Sequence, residues 1–173
     1  RVRGAGLKLK PSKCTLFAKS VKYLGHIVSA EGIACDQDKI SCIKDWAVPS
    51  NVHDVRSFLG LSGYYREHIS LFSEIAEPLF HLTRKNVRFN WSESCQSAFE
   101  ALKVALTSAP VLAYPDPDKP YILDTDASMY GMGAVLAQVH DGKERVVAFA
   151  SKTFNRAQRN YCTTQRELLA VVT

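Results

Sequence analysis

The pattern of apolar residues at the start of the chain is typical of strands. Short alternating runs occupy 7–10 and 14–17, and residues 21–29 alternate again with a period of two. Ala30-Glu31-Gly32 follows as a turn signal. Residues 7–35 are therefore predicted to form a small antiparallel sheet.

From Asp36 the apolar period becomes helical. A first helix is predicted to end before Pro49, and its apolar stripe consists of Ile40, Ile43 and Trp46. Ser50-Asn51 supplies the N-cap signal of a second helix. A third helix is predicted from about Ser70 to Arg84. Its inner face is expected to carry Leu71, Ile75, Leu79 and Leu82.

A fourth helix and a proline-rich segment follow. Ser92 is the predicted N-cap of the helix, which must end by Ala109 because Pro110 follows. Its apolar face carries Cys95, Phe99, Leu102 and Leu106. Residues 115–120 contain three prolines and two aspartates, which cannot continue a helix or a central strand. The main boundary of the chain is predicted near this segment.

Beyond the boundary, three strands and a helix are predicted. The strands are Tyr121–Asp126, Gly133–Val139 and Arg145–Phe154, separated by turn signals. Residues 163–172 return to helical spacing. The predicted helices upstream, between residues 36 and 109, are called the helical block below. Together with this block, the order of strands and helix predicts an α/β (α+β) fold.

Composition and charge narrow the possible functions. The 173 residues are 46% hydrophobic and 23% charged, as in an ordinary globular protein of one or two domains. The net charge of +5 favours a polyanionic partner such as nucleic acid, with a merely solvated basic surface as the alternative. Five cysteines without a CxxC pair or zinc spacing predict reduced thiols in an intracellular protein. No apolar run approaches the roughly 18 residues that span a bilayer.

The two termini indicate a longer parent protein. The chain begins at Arg1 without an initiating Met, and its last helical pattern reaches Thr173 without a stop signal. We expect both ends to be cut.

Asp126 and Glu167 are the candidate metal-binding carboxylates. Asp126 ends an apolar strand, where an ionised carboxylate is costly unless it is paired or binds a metal. Glu167 lies near the start of the last helix. Two-metal phosphodiester hydrolysis needs several carboxylates from separate elements. The simpler alternatives are a turn-capping Asp126 and a solvated Glu167.

Ordered motifs across the whole chain carry a resemblance to a known family. They are Gly6–Leu9, Lys13-Cys14, Tyr23–His26, Phe58–Arg66, Phe89–Trp91, Leu106–Tyr114, Thr125–Ser128, Gly131, Gly133–Leu136, Val147–Lys152 and Tyr161–Leu169. Together they resemble the Pol polyprotein of gypsy-type (Ty3/gypsy) long-terminal-repeat (LTR) retrotransposons.

The resemblance implies a division into four parts. Residues 1–35 would be the end of a reverse transcriptase palm with its primer-grip hairpin, and 36–88 the helical thumb. Residues 89–120 would form a connecting helix and linker. Residues 121–173 would be the front half of an RNase H-like mixed sheet, three antiparallel strands and a helix, in a truncated domain.

The resemblance also implies roles for particular residues. Asp126 and Glu167 would be the first two nuclease carboxylates, with Mg²⁺ or alternatively Mn²⁺. Asp124 would support them or be structural. Residues implied to contact nucleic acid are Tyr23, Leu24, Gly25 and His26 of the primer grip and Tyr65 and Arg66 of the thumb.

The expected parent performs RNA-directed DNA synthesis and cleaves RNA in RNA/DNA hybrids. It would act inside the cell, in the cytoplasm or in virus-like particles, and the rest of the polyprotein would be its partner. No Tyr-x-Asp-Asp motif occurs in this chain. Since further nuclease carboxylates would lie beyond Thr173, we expect the chain alone to be inactive.

Two alternatives remain open from the sequence. The chain could be a catalytically dead relic or a domesticated nucleic-acid-binding module. It could also be an unrelated metabolic α/β domain, although no phosphate-binding glycine loop supports that interpretation.

Overall fold

The structure, a computed structural model, describes every residue of the chain except Val2. Strands β1 (Ser20–Tyr23), β2 (His26–Ser29) and β3 (Gly32–Cys35) form an antiparallel sheet in that order. This confirms the predicted sheet for its second half.

The predicted strands at 7–10 and 14–17 are wrong. These residues are exposed and flank a short 3₁₀ helix, Pro11–Lys13. Phe17 is fully exposed at a positive φ of 57°. Alternation alone does not make a strand, because a strand also needs an edge with which to pair. Among the described residues none pairs with these runs.

The helical block follows the predicted caps. Helix α1 (Gln37–Lys44) begins at Asp36, whose carboxylate accepts from the Asp38 amide at 3.1 Å. Helix α2 (Val52–Tyr64) begins at Asn51 and helix α5 (Glu93–Thr107) at Ser92, as predicted. One apolar core joins them, with Ile43, Val55, Phe58, Phe99 and Leu102 at its centre.

The predicted third helix is two short helices, α3 (Phe72–Ile75) and α4 (Glu77–Leu82). Pro78 lies in the first turn of α4, where its missing N–H is tolerated, but it cannot extend α3. A 3₁₀ helix at Arg66–His68 precedes them. Leu71, the residue before α3, lies beside Gly133 of the second sheet.

The second sheet agrees with the prediction of three strands and a helix. Strands β4 (Ile122–Ala127), β5 (Gly131–His140) and β6 (Lys143–Thr153) are antiparallel in that order. A 3₁₀ turn at Gln158–Asn160 leads into α6 (Thr163–Val172), which packs against β4 and β5. Within the described residues, every helix is too short or too polar to span a lipid bilayer.

A short extended segment joins the two sheets. Leu112 exchanges two backbone hydrogen bonds with Ile33 of β3, at 2.8 and 2.9 Å, and the Ala113 amide donates to Val146 of β6 at 2.7 Å. Gly32 permits this approach: a Cβ there would lie 2.1 Å from the Leu112 carbonyl oxygen, and its φ is +134°. The first sheet is therefore tied to the second by main-chain bonds.

The proline-rich segment at 115–120 has neither helix nor strand, as predicted, but it is fastened to the sheet. Gln138 of β5 is fully buried. Its amide nitrogen donates to the carbonyls of Asp116 and Lys119, and its amide oxygen accepts from the Asp116 N–H at 2.8 Å. The Gln138 side chain thus fastens both Asp116 and Lys119 of this segment to β5.

Candidate functional site

Asp126 lies one residue before the end of β4 and is exposed. It is opposite Gly133 of β5, and Asp124 is opposite Val135. Since residues two apart in a strand share a face, both carboxylates are on one side of the sheet. Strand β4 pairs only with β5 in the described part of the chain, so these carboxylates lie along an open edge.

The start of α3 reaches the same place. A cavity of about 140 Å³ is lined by Asp124, Asp126 and Gly133 together with Ser70 and Leu71. A Cβ on Gly133 would lie 2.4 Å from the Leu71 Cδ2 atom, so glycine is what lets the helical block approach the strand here. The candidate carboxylates therefore lie at the junction of the helical block and the second sheet.

Glu167 is half-buried in the second turn of α6. The neighbouring Arg166 donates from Nη1 to the Ser128 carbonyl at 2.7 Å, which anchors this end of α6 to the turn after β4. Packing of α6 on β4 brings together the two elements that carry Asp126 and Glu167. Glu167 does not line the cavity beside Asp126.

Their donor chemistry suits a hard divalent cation, because carboxylate oxygens are the preferred ligands of Mg²⁺. Two carboxylates are fewer than a two-metal centre requires. Among the described residues, no three His, Cys, Asp or Glu side chains are grouped closely enough to hold a metal ion.

The predicted primer grip is the β1–β2 hairpin. Its turn places Leu24 and Gly25 at positive φ values of 46° and 76°, the pair of conformations that a type I′ turn requires. Tyr23 and Leu24 are 63% and 70% exposed, so they form the outer surface of the tip. They are the residues of this hairpin best placed to meet a ligand.

Two tyrosines of α2 and its C-terminal end support the tip from beneath. The Tyr64 hydroxyl donates to the Leu24 carbonyl, and the Tyr65 hydroxyl donates to the Gly25 carbonyl at 2.7 Å. A Cβ on Gly25 would lie 3.3 Å from atoms of both rings. What lies close to Gly25 in this structure is thus the pair of tyrosines.

Tyr65 is 1% exposed, and burial raises the pKa of its phenol to about 12. It therefore remains a protonated donor at neutral pH. The prediction that Tyr65 contacts nucleic acid directly does not agree with this burial. In the structure Tyr65 positions the hairpin that carries Tyr23 and Leu24.

His26 faces the helical block. Its ring stacks on Tyr64 and on His68, with centroids 5.4 and 5.5 Å apart. His68 is buried, and desolvation is the main cause of its lowered pKa. Sequence spacing did not separate His68 from the exposed His53, because only the tertiary packing buries it.

Arg66 is exposed but partly engaged. Its guanidinium donates to the Ser151 carbonyl of β6 and lies over the Phe72 ring, 5.9 Å from the centroid. It thereby joins the helical block to the second sheet, a role that the sequence did not indicate. Contact with nucleic acid remains a prediction for Arg66.

Comparison with known proteins supplies the family. Residues 91–173 match a family model described as the RNase H-like domain found in reverse transcriptase. Over 171 residues the chain is 39% identical to the retrovirus-related Pol polyprotein from transposon 412 of Drosophila melanogaster. The chain is homologous to part of the Pol polyproteins of gypsy-type LTR transposons.

Other Pol polyproteins agree. The chain is 38% identical to that of transposon gypsy from Drosophila melanogaster, and 35% identical to the transposon Tf2-3 polyprotein of Schizosaccharomyces pombe. These alignments cover 97% and 99% of this chain. The chain spans only 13% to 17% of the length of these three polyproteins.

Solved structures show the same fold. A foamy viral protease-reverse transcriptase in complex with RNA/DNA hybrid superposes with a TM-score of 0.77, over 93% of this chain and 22% of that one. The corresponding complex with double-stranded DNA also has a TM-score of 0.77, over 93% of this chain and 34% of that one. Both are 23% identical in sequence. The predicted fold class and the resemblance to gypsy-type Pol are confirmed.

Proposed function

We propose that this chain is the part of a retroelement reverse transcriptase and ribonuclease H that holds an RNA/DNA hybrid or template-primer. The parent would carry out RNA-directed DNA synthesis and metal-dependent cleavage of RNA in hybrids. The observation that carries the proposal is Asp126, exposed at the end of an edge strand against which the Glu167 helix packs, in a chain homologous to Pol polyproteins. The net charge of +5 supports a nucleic-acid partner.

Asp126 and Glu167 would hold Mg²⁺, with Mn²⁺ as the alternative. The cation would activate water and stabilise the leaving oxygen. The chain's own residues would position the carboxylates: Arg166, bonded to Ser128, holds α6 beside the turn that follows Asp126. Because two carboxylates are an incomplete set, this chain alone would bind a hybrid without cleaving it.

At the other sheet, Tyr23 and Leu24 would contact the nucleic acid at the exposed hairpin tip. Tyr64 and Tyr65 would hold that tip at a fixed height above α2 through their hydroxyl bonds to its carbonyls. We further propose that the remainder of the polyprotein is the physical partner, in the cytoplasm or in virus-like particles.

The nuclease assignment is tested in the complete Pol protein by Asp126→Asn. We expect RNA cleavage in a hybrid to fall by about 100-fold or more, because a metal ligand loses its charge, while hybrid binding is retained. The matched control is Asp141→Asn, an exposed turn residue at the opposite end of the sheet whose φ of 52° suits asparagine. Equal cleavage by both variants would contradict the assigned role of Asp126.

Binding is tested on the chain itself by fluorescence anisotropy with a labelled RNA/DNA hybrid over a range of salt concentrations. We expect affinity to fall linearly on a log–log scale as salt rises, because phosphate contacts release counterions. Absence of binding at low salt would refute the proposal for this chain. Two results together would favour a binding module instead. The chain would bind the hybrid without metal-dependent cleavage, and the Asp126→Asn variant of the complete Pol protein would still cleave RNA.

A further inference from the structure

Three arginines from two distant parts of the chain meet in one cavity. The cavity has a volume of about 380 Å³ and is lined by Arg84, which follows α4, and by Phe154, Asn155, Arg156 and Arg159, which follow β6. All of its charged lining residues are basic. Such a convergence of like charges is unfavourable unless an anion compensates it.

One acidic side chain compensates the cluster in part. A single oxygen of Glu77, Oε1, lies 3.0 Å from Arg84 Nη2 and 3.4 Å from Arg159 Nη2. Arg156 is exposed and takes part in none of the ion pairs formed by the described residues. Three guanidinium groups against one carboxylate leave a formal charge of +2 at the cavity.

Arg159 is held in place by the protein. Its Nε donates to the Phe154 carbonyl at 3.2 Å, and its guanidinium lies 5.8 Å from the centre of the Tyr130 ring. Its side chain is 30% exposed. A guanidinium has five N–H donors, so a group fixed through Nε and one Nη still presents donors to a ligand.

The cavity lies at the same end of the second sheet as Asp126. Tyr130 belongs to the turn that follows β4, and the Phe154 amide donates to the Tyr130 carbonyl at 2.8 Å. The arginine cluster therefore adjoins the turn that leads away from the candidate carboxylate.

We propose that Arg84, Arg156 and Arg159 bind a backbone phosphate of the nucleic acid. This phosphodiester would lie near the RNA strand that Asp126 would help to cleave. The planar guanidinium matches two phosphate oxygens at once, and such contacts position a strand without reading its sequence. This inference rests on the proposed function, because it assumes that nucleic acid lies across this end of the sheet.

The first test is Arg156→Gln in the full chain, with Lys143→Gln as the matched control. Both residues are exposed and both changes remove one positive charge, but Lys143 lies at the opposite end of the same sheet. For R156Q we expect RNA/DNA hybrid binding to be about three- to tenfold weaker at low salt, with a log–log salt slope smaller by about 0.9. K143Q should leave the affinity and the salt slope close to those of the unmodified chain.

The second test is Glu77→Gln, which removes the competing carboxylate. We expect hybrid binding to tighten by about twofold or more, because both guanidinium groups lose their internal ion pair. A merely structural role for this cluster predicts lower stability without tighter binding. Thermal unfolding of each variant shows whether the fold is retained, and R156Q serves if E77Q does not fold.

Inorganic phosphate tests whether the site binds free phosphate or the backbone phosphate of a nucleic acid. Suppose that phosphate raises the melting temperature of the unmodified chain but not of R156Q, and that R156Q binds the hybrid as well as K143Q does. The site then binds free phosphate, and the inference is overturned. Equal hybrid affinity and salt slope for R156Q and K143Q overturn it as well. Failure of the parent chain to bind any hybrid would instead refute the proposed function.

Discussion

Single side chains decide how the hairpin meets the helical block. Tyr64 and Tyr65 each donate to a carbonyl of the tip, and Gly25 leaves room for both rings. Behind them His26 and His68 stack at 5.5 Å. His68 is buried, and a buried imidazole is favourable only while it is uncharged.

The pH dependence of stability follows from His68. Burial lowers its pKa most, the Pro110 carbonyl opposes that effect, and the nearby His26 lowers it further. Because the folded-state pKa is below the unfolded value, the folded state favours the neutral ring. Its contribution to stability is fully present above the unfolded pKa, near 6.5, and is lost as the pH falls from that value through the lower folded-state pKa.

We therefore expect the free energy of unfolding, measured in urea, to fall between about pH 7.5 and about pH 5.5. His68→Asn should reduce this dependence even if it lowers stability at both pH values. His53→Asn is the control, because the His53 side chain is 90% exposed. An undiminished pH dependence in the His68 variant would exclude this origin.

At the scale of elements, local capping signals set the starts of helices, and long-range polar contacts set the position of loops. Asn51 accepts from the Asp54 amide at 3.0 Å and Ser92 from the Cys95 amide at 3.3 Å, each three residues ahead. The segment at 115–120 instead depends on Gln138, which is distant in sequence.

Gln138→Leu tests that dependence. The apolar side chain retains volume but leaves the Asp116 N–H and the Lys119 carbonyl without their protein partner, while the Asp116 carbonyl keeps only the Lys119 amide. We expect a loss of about 1–3 kcal/mol in the free energy of unfolding and faster proteolysis within 115–120. Gln37→Leu, at an exposed position of α1, provides the comparison. Unchanged protection of the segment would show that water replaces the amide without penalty.

At the scale of the whole molecule, side-chain hydrogen bonds join the first sheet, the helical block and the second sheet. Arg145 of β6 donates to the Glu31 carbonyl, and Arg66 to the Ser151 carbonyl. The Tyr114 hydroxyl donates to Ser29 at 2.9 Å. The hairpin, the helical block and the second sheet therefore contact one another directly, which gives the candidate carboxylates and the hairpin tip a defined relative position.

The open edge of β4 has a consequence for association. Leu123 on this strand is 55% exposed, and the unpaired side of the strand offers its N–H and C=O groups to other chains. Leu123→Lys should reduce light scattering at equal protein concentration, since a charged edge residue opposes strand pairing. Thr164→Lys adds the same charge at an exposed position of α6. Equal scattering by the two variants would rule out edge pairing as the cause.

The sequence by itself determined the elements whose signals are local. The predicted caps Asn51 and Ser92 begin helices, and a helix also begins after Asp36, where the apolar period becomes helical. The alternation after residue 120 predicts the second sheet, because capping hydrogen bonds and periodicity act within a few residues. The motifs around Asp126 also indicated the family, which the Pol homologues confirm.

Only the tertiary structure decided what depends on distant partners. Leu7 and Leu9 alternate like a strand, but no strand of the described residues pairs with them. Tyr65 was predicted to contact nucleic acid, but packing buries it. The Arg84, Arg156 and Arg159 cavity has no sequence signature, because its residues meet only when α4 and the end of β6 come together. The burial of a residue, the grouping of charges and the close approach of two segments all depend on contacts between residues that are far apart in the sequence. A local sequence pattern therefore cannot predict them.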